Sequence, residues 1–66
     1  MNRIKQVLEE KHMTQTKLSG ALGKSYNMVN SYAQNRRQPS LEVLYEIAEV
    51  LNIDVKELIV SNKKKK

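Results

Sequence analysis

The chain has 66 residues, 39% apolar and 29% charged, with two glycines, one proline, no cysteine, one histidine and a formal net charge of +5. One compact domain is the ceiling at this length, and without cysteine a disulfide scaffold, a zinc finger or a thiol redox site is excluded. The longest strictly apolar run, Leu58 to Val60, is too short to cross a bilayer, and the N-terminus lacks the apolar stretch of a secretory signal, so a cytoplasmic protein is expected.

Apolar spacing is helical nearly throughout, and so few glycines and prolines argue against a sheet. Asn2 is placed to cap a first helix with the stripe Ile4, Val7 and Leu8, ending near Lys11 with His12 in a left-handed turn position. Thr14 caps a short second helix containing Leu18, Ala21 and Leu22, which Gly23 ends. Ser25 caps a third, with Val29 and Tyr32 on its inner face and Asn35 as its left-handed stop. Asn35-Arg36-Arg37-Gln38-Pro39 reads as a loop, because proline disfavours helix in the residue before it. Ser40 caps a fourth helix from about Leu41 to Leu51, and Asp54 with Glu57 forms a capping box for a fifth ending near Val60. The expected class is all-α, five short helices in one domain over residues 1–62, with Lys63–Lys66 a disordered tail.

The segment from about residue 15 to 34 carries the most information. Two helices of about eight residues meet at Gly23-Lys24-Ser25, and so tight a turn needs a residue that tolerates positive φ. Ser19, four residues before the glycine, is small enough for the next helix to cross closely. With Leu18, Leu22, Val29 and Tyr32 supplying apolar contacts, these offsets describe a helix-turn-helix.

Thr14-Gln15-Thr16-Lys17-Leu18, then Ala21-Leu22-Gly23-Lys24-Ser25, Val29, and Asn35-Arg36-Arg37-Gln38-Pro39-Ser40 resemble the lambda repressor/Cro-like (XRE-type) helix-turn-helix family. Leu44, Ile47-Ala48, Leu51 and Leu58 fit the rest of its pattern, so the resemblance spans about residues 4–60. It implies a five-helix domain that binds double-stranded DNA sequence-specifically. The expected protein is a small prokaryotic or phage-type transcriptional regulator, a repressor acting as a dimer on an inverted-repeat operator. On this resemblance the third helix enters the major groove, with Tyr26, Asn27, Ser31 and Asn30 facing the bases. Asn27 is the best reader, since an amide can bond adenine N6 and N7 together. Gln15, Lys24, Gln34, Arg36 and Arg37 fall where phosphates would be held. Leu8 and Ala33 stand where the family often pairs Arg with Glu, so an apolar contact is expected there. Asn35 replaces the family's common glycine, and Gly20 has no evident role inside the second helix.

The charge is uneven. Residues 1–37 set Arg3, Lys5, Lys11, Lys17, Lys24, Arg36 and Arg37 against Glu9 and Glu10, a balance of +5. Residues 38–62 set Lys56 against Glu42, Glu46, Glu49, Asp54 and Glu57, a balance of −4, and the tail adds +4. One half can meet an anion while the other stays away from it. The fourth helix carries a second apolar stripe, Val43, Ile47 and Val50, which with Ile59 and Val60 is expected to join two copies of the chain. The competing use of that stripe is to pack the fifth helix. No catalytic constellation, metal site or cofactor is expected, nor a small-molecule ligand. Two other readings stay open: an antitoxin or restriction–modification controller on the same fold, and a protein-interaction module without DNA binding.

Overall fold

A computed structural model describes residues 2–59. The expectations for Val60 and for the lysine tail fall outside the described residues. Four α-helices run Ile4–Glu10 (α1), Gln15–Leu22 (α2), Tyr26–Ala33 (α3) and Leu41–Leu51 (α4), followed by a 3₁₀ helix, Val55–Leu58. The expected fifth helix is therefore a single 3₁₀ turn that stops before Val60. Asp54 Oδ1 accepts from the Lys56 N–H at 3.0 Å, so the cap is a tight Asx turn rather than the predicted capping box.

Local chemistry sets the other boundaries. Thr14 Oγ1 accepts from the Lys17 N–H at 3.1 Å, Ser25 Oγ from Met28 at 3.1 Å and Ser40 Oγ from Val43 at 3.2 Å. Each such cap satisfies one otherwise orphaned helix donor and contributes about 1 kcal/mol. At α1 the cap position belongs to Arg3, which makes no capping bond; Asn2 Oδ1 accepts from the Ile4 N–H at 3.0 Å in its place. His12, Gly23 and Asn35 take the left-handed conformation at the ends of three elements, and Asn52 does the same after α4.

The elements close on one core. Ile4, Leu18, Val29, Ile47 and Leu58 are fully buried, and Val7, Leu8, Tyr32, Ala33, Ala48 and Leu51 complete the cluster. Helix α2 packs against α3 and α4, the 3₁₀ helix against α4 and α1, and α1 against α3. The two ends of the fold meet: the Arg3 N–H donates to the Leu58 carbonyl at 2.8 Å, and Asn2 and Ile59 form an antiparallel bridge.

Two expectations change. Ile47 is 0% exposed and sits at the centre of the core, so it is not available to a second copy. Val43 and Val50 flank it, partly buried against the same cluster. The second stripe of α4 thus faces inward, because α2 and the 3₁₀ helix both pack on α4 and bury more than one face. Leu41 and Tyr45, which share a helical face with Ala48 by spacing, are the exposed large apolar residues of this helix, at 60% and 55%. Ala21 is likewise exposed on α2.

Leu8 and Ala33 are both buried in the core, and α1 packs against α3, so apolar burial takes the two positions where the family resemblance suggests an ion pair. Leu8→Ala should cost about 2–5 kcal/mol by lost transfer energy and a residual cavity. Leu8→Arg should be less harmful when combined with Ala33→Glu than alone. Chemical denaturation of the four variants measures the coupling; additive effects would show that the positions do not communicate.

Candidate nucleic-acid interface

The α2–α3 unit is built around Gly23. Its φ of 69° lets the chain reverse at once after Leu22, and its N–H donates to the Gly20 carbonyl at 3.3 Å. The Lys24 N–H reaches back to the Ser19 carbonyl at 3.0 Å, which completes a glycine-type helix stop. Ser19 is buried at this crossing, and its hydroxyl donates to the Thr16 carbonyl at 2.8 Å. The small side chain thereby enters the contact with its polar group satisfied. One residue after Lys24, the Ser25 cap starts α3.

Helix α3 is divided lengthwise. Val29, Tyr32 and Ala33 are buried, and Met28 packs against the core from the flank. Asn27 is exposed, Asn30 and Ser31 are half-buried, and Tyr26 is 50% exposed. At the ordinary helical repeat, Asn27, Asn30 and Ser31 share an arc of about 100°. With Tyr26 the four residues span about 140° of the helix, on the side turned away from Val29 and Tyr32. This face is polar, uncharged, and free to offer amide and hydroxyl hydrogen bonds.

The residues expected to hold phosphates surround that face less uniformly. Gln34, Arg36 and Arg37 are exposed just after α3, and Lys24 is half-buried in the turn before it. Gln15, the first residue of α2, is half-buried with its Oε1 withdrawn from solvent. Among the described residues the ion pair is Arg3 with Glu10, at 4.0 Å, so no carboxylate neutralises Lys24, Arg36 or Arg37. The loop backbone is pinned, since the Arg36 and Arg37 N–H groups both donate to the Ser31 carbonyl, at 3.0 and 3.3 Å.

The helix-turn-helix family matches residues 4–58. The chain belongs to that family. A crystal structure of a proposed DNA-binding protein from Bacteroides fragilis is 45% identical to this helix-turn-helix chain. The match covers 88% of this chain and 94% of that one, with a TM-score of 0.87. Curated proteins give no match. Among the described residues of this helix-turn-helix protein, no helix is long and apolar enough to cross a membrane, and no group of His, Cys, Asp or Glu could hold a metal ion.

Sequence reasoning missed the partners of the Arg36-Arg37 loop. Asn2 is 6% exposed, and its Nδ2 donates to the Tyr32 carbonyl at 3.0 Å and to Gln38 Oε1 at 3.1 Å. Its backbone N–H donates to Asn35 Oδ1 at 2.8 Å, and Asn35 Nδ2 donates back to the Asn2 carbonyl at 3.2 Å. Residues 33 apart carry no local signal of this pairing; the sequence shows Asn2 only as a helix cap.

The two glycines should respond to alanine with opposite signs. Gly20 is helical, and a Cβ there meets nothing within 4 Å, so Gly20→Ala should stabilise the fold by about 1 kcal/mol. Gly23→Ala should destabilise it by about 1–2 kcal/mol, because the left-handed backbone penalises a Cβ. Urea midpoints of the two variants check both signs.

Proposed function

We propose that this chain binds double-stranded DNA sequence-specifically, with α3 in the major groove, as a small prokaryotic or phage-type transcriptional repressor in the cytoplasm. The observation that supports this most directly is the face of α3. Tyr26, Asn27, Asn30 and Ser31 lie on one side of a helix whose opposite side is in the core, flanked by arginines that no described carboxylate neutralises. The proposed DNA-binding protein that shares 45% of the sequence supports the same reading. A cation held by an internal ion pair has little charge to offer a phosphate, whereas Arg36 and Arg37 keep theirs. In this reading Asn27 reads a base, Tyr26, Asn30 and Ser31 adjust to neighbouring bases, and Gln15, Lys24, Gln34, Arg36 and Arg37 hold the backbone. The role is binding and occlusion rather than catalysis.

The repressor works as a homodimer on an inverted repeat in this reading. Two recognition helices would then stand about 34–36 Å apart, one turn of duplex. Burial redraws the expected seam, since Ile47 is taken by the core. Leu41 and Tyr45 on α4 and Ile59 at 46% exposure remain for it, while Val43 and Val50 are packed against the core. Tyr45 borders a shallow open hollow of about 490 Å³ lined also by Ala48, Ile53 and Val55, with Glu49 and Asp54 at its edge. Apolar contact area of this kind, away from α3, suits a partner copy.

Selection of duplexes from a random library should return an inverted repeat. On the selected duplex Asn27→Ala should cost about 1–3 kcal/mol, with little change on scrambled duplex. Arg36→Ala and Arg37→Ala should each weaken binding to both and lower the slope of log K against log salt by about 1. An Asn27→Ala loss that is equal on both duplexes would reverse the assignment of the two surfaces.

Sedimentation equilibrium at tens of micromolar should find a dimer that Tyr45→Glu dissociates. A monomer at every concentration, bound to an asymmetric half-site, would remove the dimer from the proposal.

A further inference from the structure

We infer that Asn2, Asn35 and Gln38 form an amide clasp that positions the Arg36-Arg37 loop for phosphate contact; the inference rests on the DNA-binding reading above. Neither arginine is held by a side-chain partner of its own among the described residues. Their own backbone N–H groups are tied to the Ser31 carbonyl, and the residues on either side hold the loop further. Before them stands Asn35, in the left-handed conformation at φ 61°. After them stands Gln38, whose Nε2 donates to Asn35 Oδ1 at 3.2 Å, closing the loop on itself.

The clasp ties this closed loop to the rest of the fold. Asn35 presents its side-chain amide to the Asn2 peptide as a neighbouring strand would, giving one bond and taking one. Asn2 Nδ2 then bridges Gln38 Oε1 and the Tyr32 carbonyl near the end of α3. On its other side Asn2 is bridged to Ile59, and the next residue, Arg3, donates to Leu58. A residue at the very start of the fold thus couples the end of α3, the arginine loop and the C-terminal segment. Asn2 is nearly buried with its polar groups matched, so the arrangement is specific rather than adaptable.

Asn35 is the informative position. A left-handed stop needs only glycine, the cheapest residue at positive φ. Asparagine adds the amide that pairs with Asn2 and Gln38, so Asn35→Gly removes the three bonds of that amide, leaves those from Asn2 Nδ2 to Tyr32 and Gln38, and keeps the backbone conformation permitted. Asn35→Gly should keep a cooperative thermal transition close to that of the unmodified chain. It should weaken binding about three- to tenfold on both selected and scrambled duplexes, the scale of one or two net hydrogen bonds. In the Arg36→Ala/Arg37→Ala background the same change should cost less than twofold, because no arginine remains to be positioned. Asn2→Ala should show the same background dependence; Asn35→Gly decides the matter if Asn2→Ala does not fold.

The experiment is salt titration of binding by the full chain and these variants on both duplexes, with thermal unfolding of each. Equal losses from Asn35→Gly in both backgrounds, or none in either, would overturn the clasp while leaving DNA binding intact. Failure of the unmodified chain to bind any selected duplex would overturn the DNA-binding reading and this inference with it.

Discussion

Each of the five helical segments places one side chain wholly out of water: Ile4 from α1, Leu18 from α2, Val29 from α3, Ile47 from α4 and Leu58 from the 3₁₀ helix. In a chain of this size, with no disulfide, that convergence is the constraint on which the rest depends. A segment that lost its buried residue would have little else to hold it, since short helices are marginal alone. The convergence also determines what is left over. Val29, Tyr32 and Ala33 bind α3 to the core, so Asn27, Asn30 and Ser31 are turned outward by the same packing that stabilises the helix. The outward face of α3 follows from the core, while the arginine loop beside it is tied down by the amides of Asn2, Asn35 and Gln38.

The sequence shows most plainly what short-range chemistry controls. Thr14, Ser25 and Ser40 cap the helices they precede, and His12, Gly23 and Asn35 take the left-handed stops, because each effect acts within a few residues along the chain. Asn52 after Leu51 belongs to the same class and was equally legible, though overlooked. The orientation of α4 was not legible in that way. Its sequence has apolar residues on two sides, and spacing alone does not say which side neighbours cover. Packing by both α2 and the 3₁₀ helix buries Ile47 and leaves Tyr45 outside. The outward set on α3 could be read because its inner face was unambiguous. Asn2 could be read as a cap but not as a partner of Asn35 and Gln38, since only the closed fold brings residues 33 and 36 positions apart together.

Electrostatics in this molecule is mostly unspent internally. The Arg3–Glu10 pair is long and solvent-exposed, and such pairs add at most about 1 kcal/mol. The first half of the chain therefore keeps its positive field, and the carboxylates of α4, Glu42, Glu46 and Glu49, lie on exposed positions of another element. In the proposed function this separation would orient an approaching polyanion toward α2 and α3 without needing any single strong contact.

The exchange of an ion pair for neutral contacts has a further physical consequence. Where the family resemblance leads one to expect an Arg–Glu pair between the first and third helices, this chain has the buried Leu8 and Ala33, and amide hydrogen bonds from Asn2 extend the tie to the loop beyond. Neutral, largely buried hydrogen bonds are insensitive to ionic strength, whereas exposed ion pairs weaken as salt rises. On the proposed reading, the loop that carries Arg36 and Arg37 therefore keeps its geometry across the salt range in which phosphate binding weakens. A fold held by charges would loosen its phosphate contacts and its own loop together. One held by apolar burial and amides keeps the loop in place, so in the proposed function the salt response of binding would belong to the interface alone.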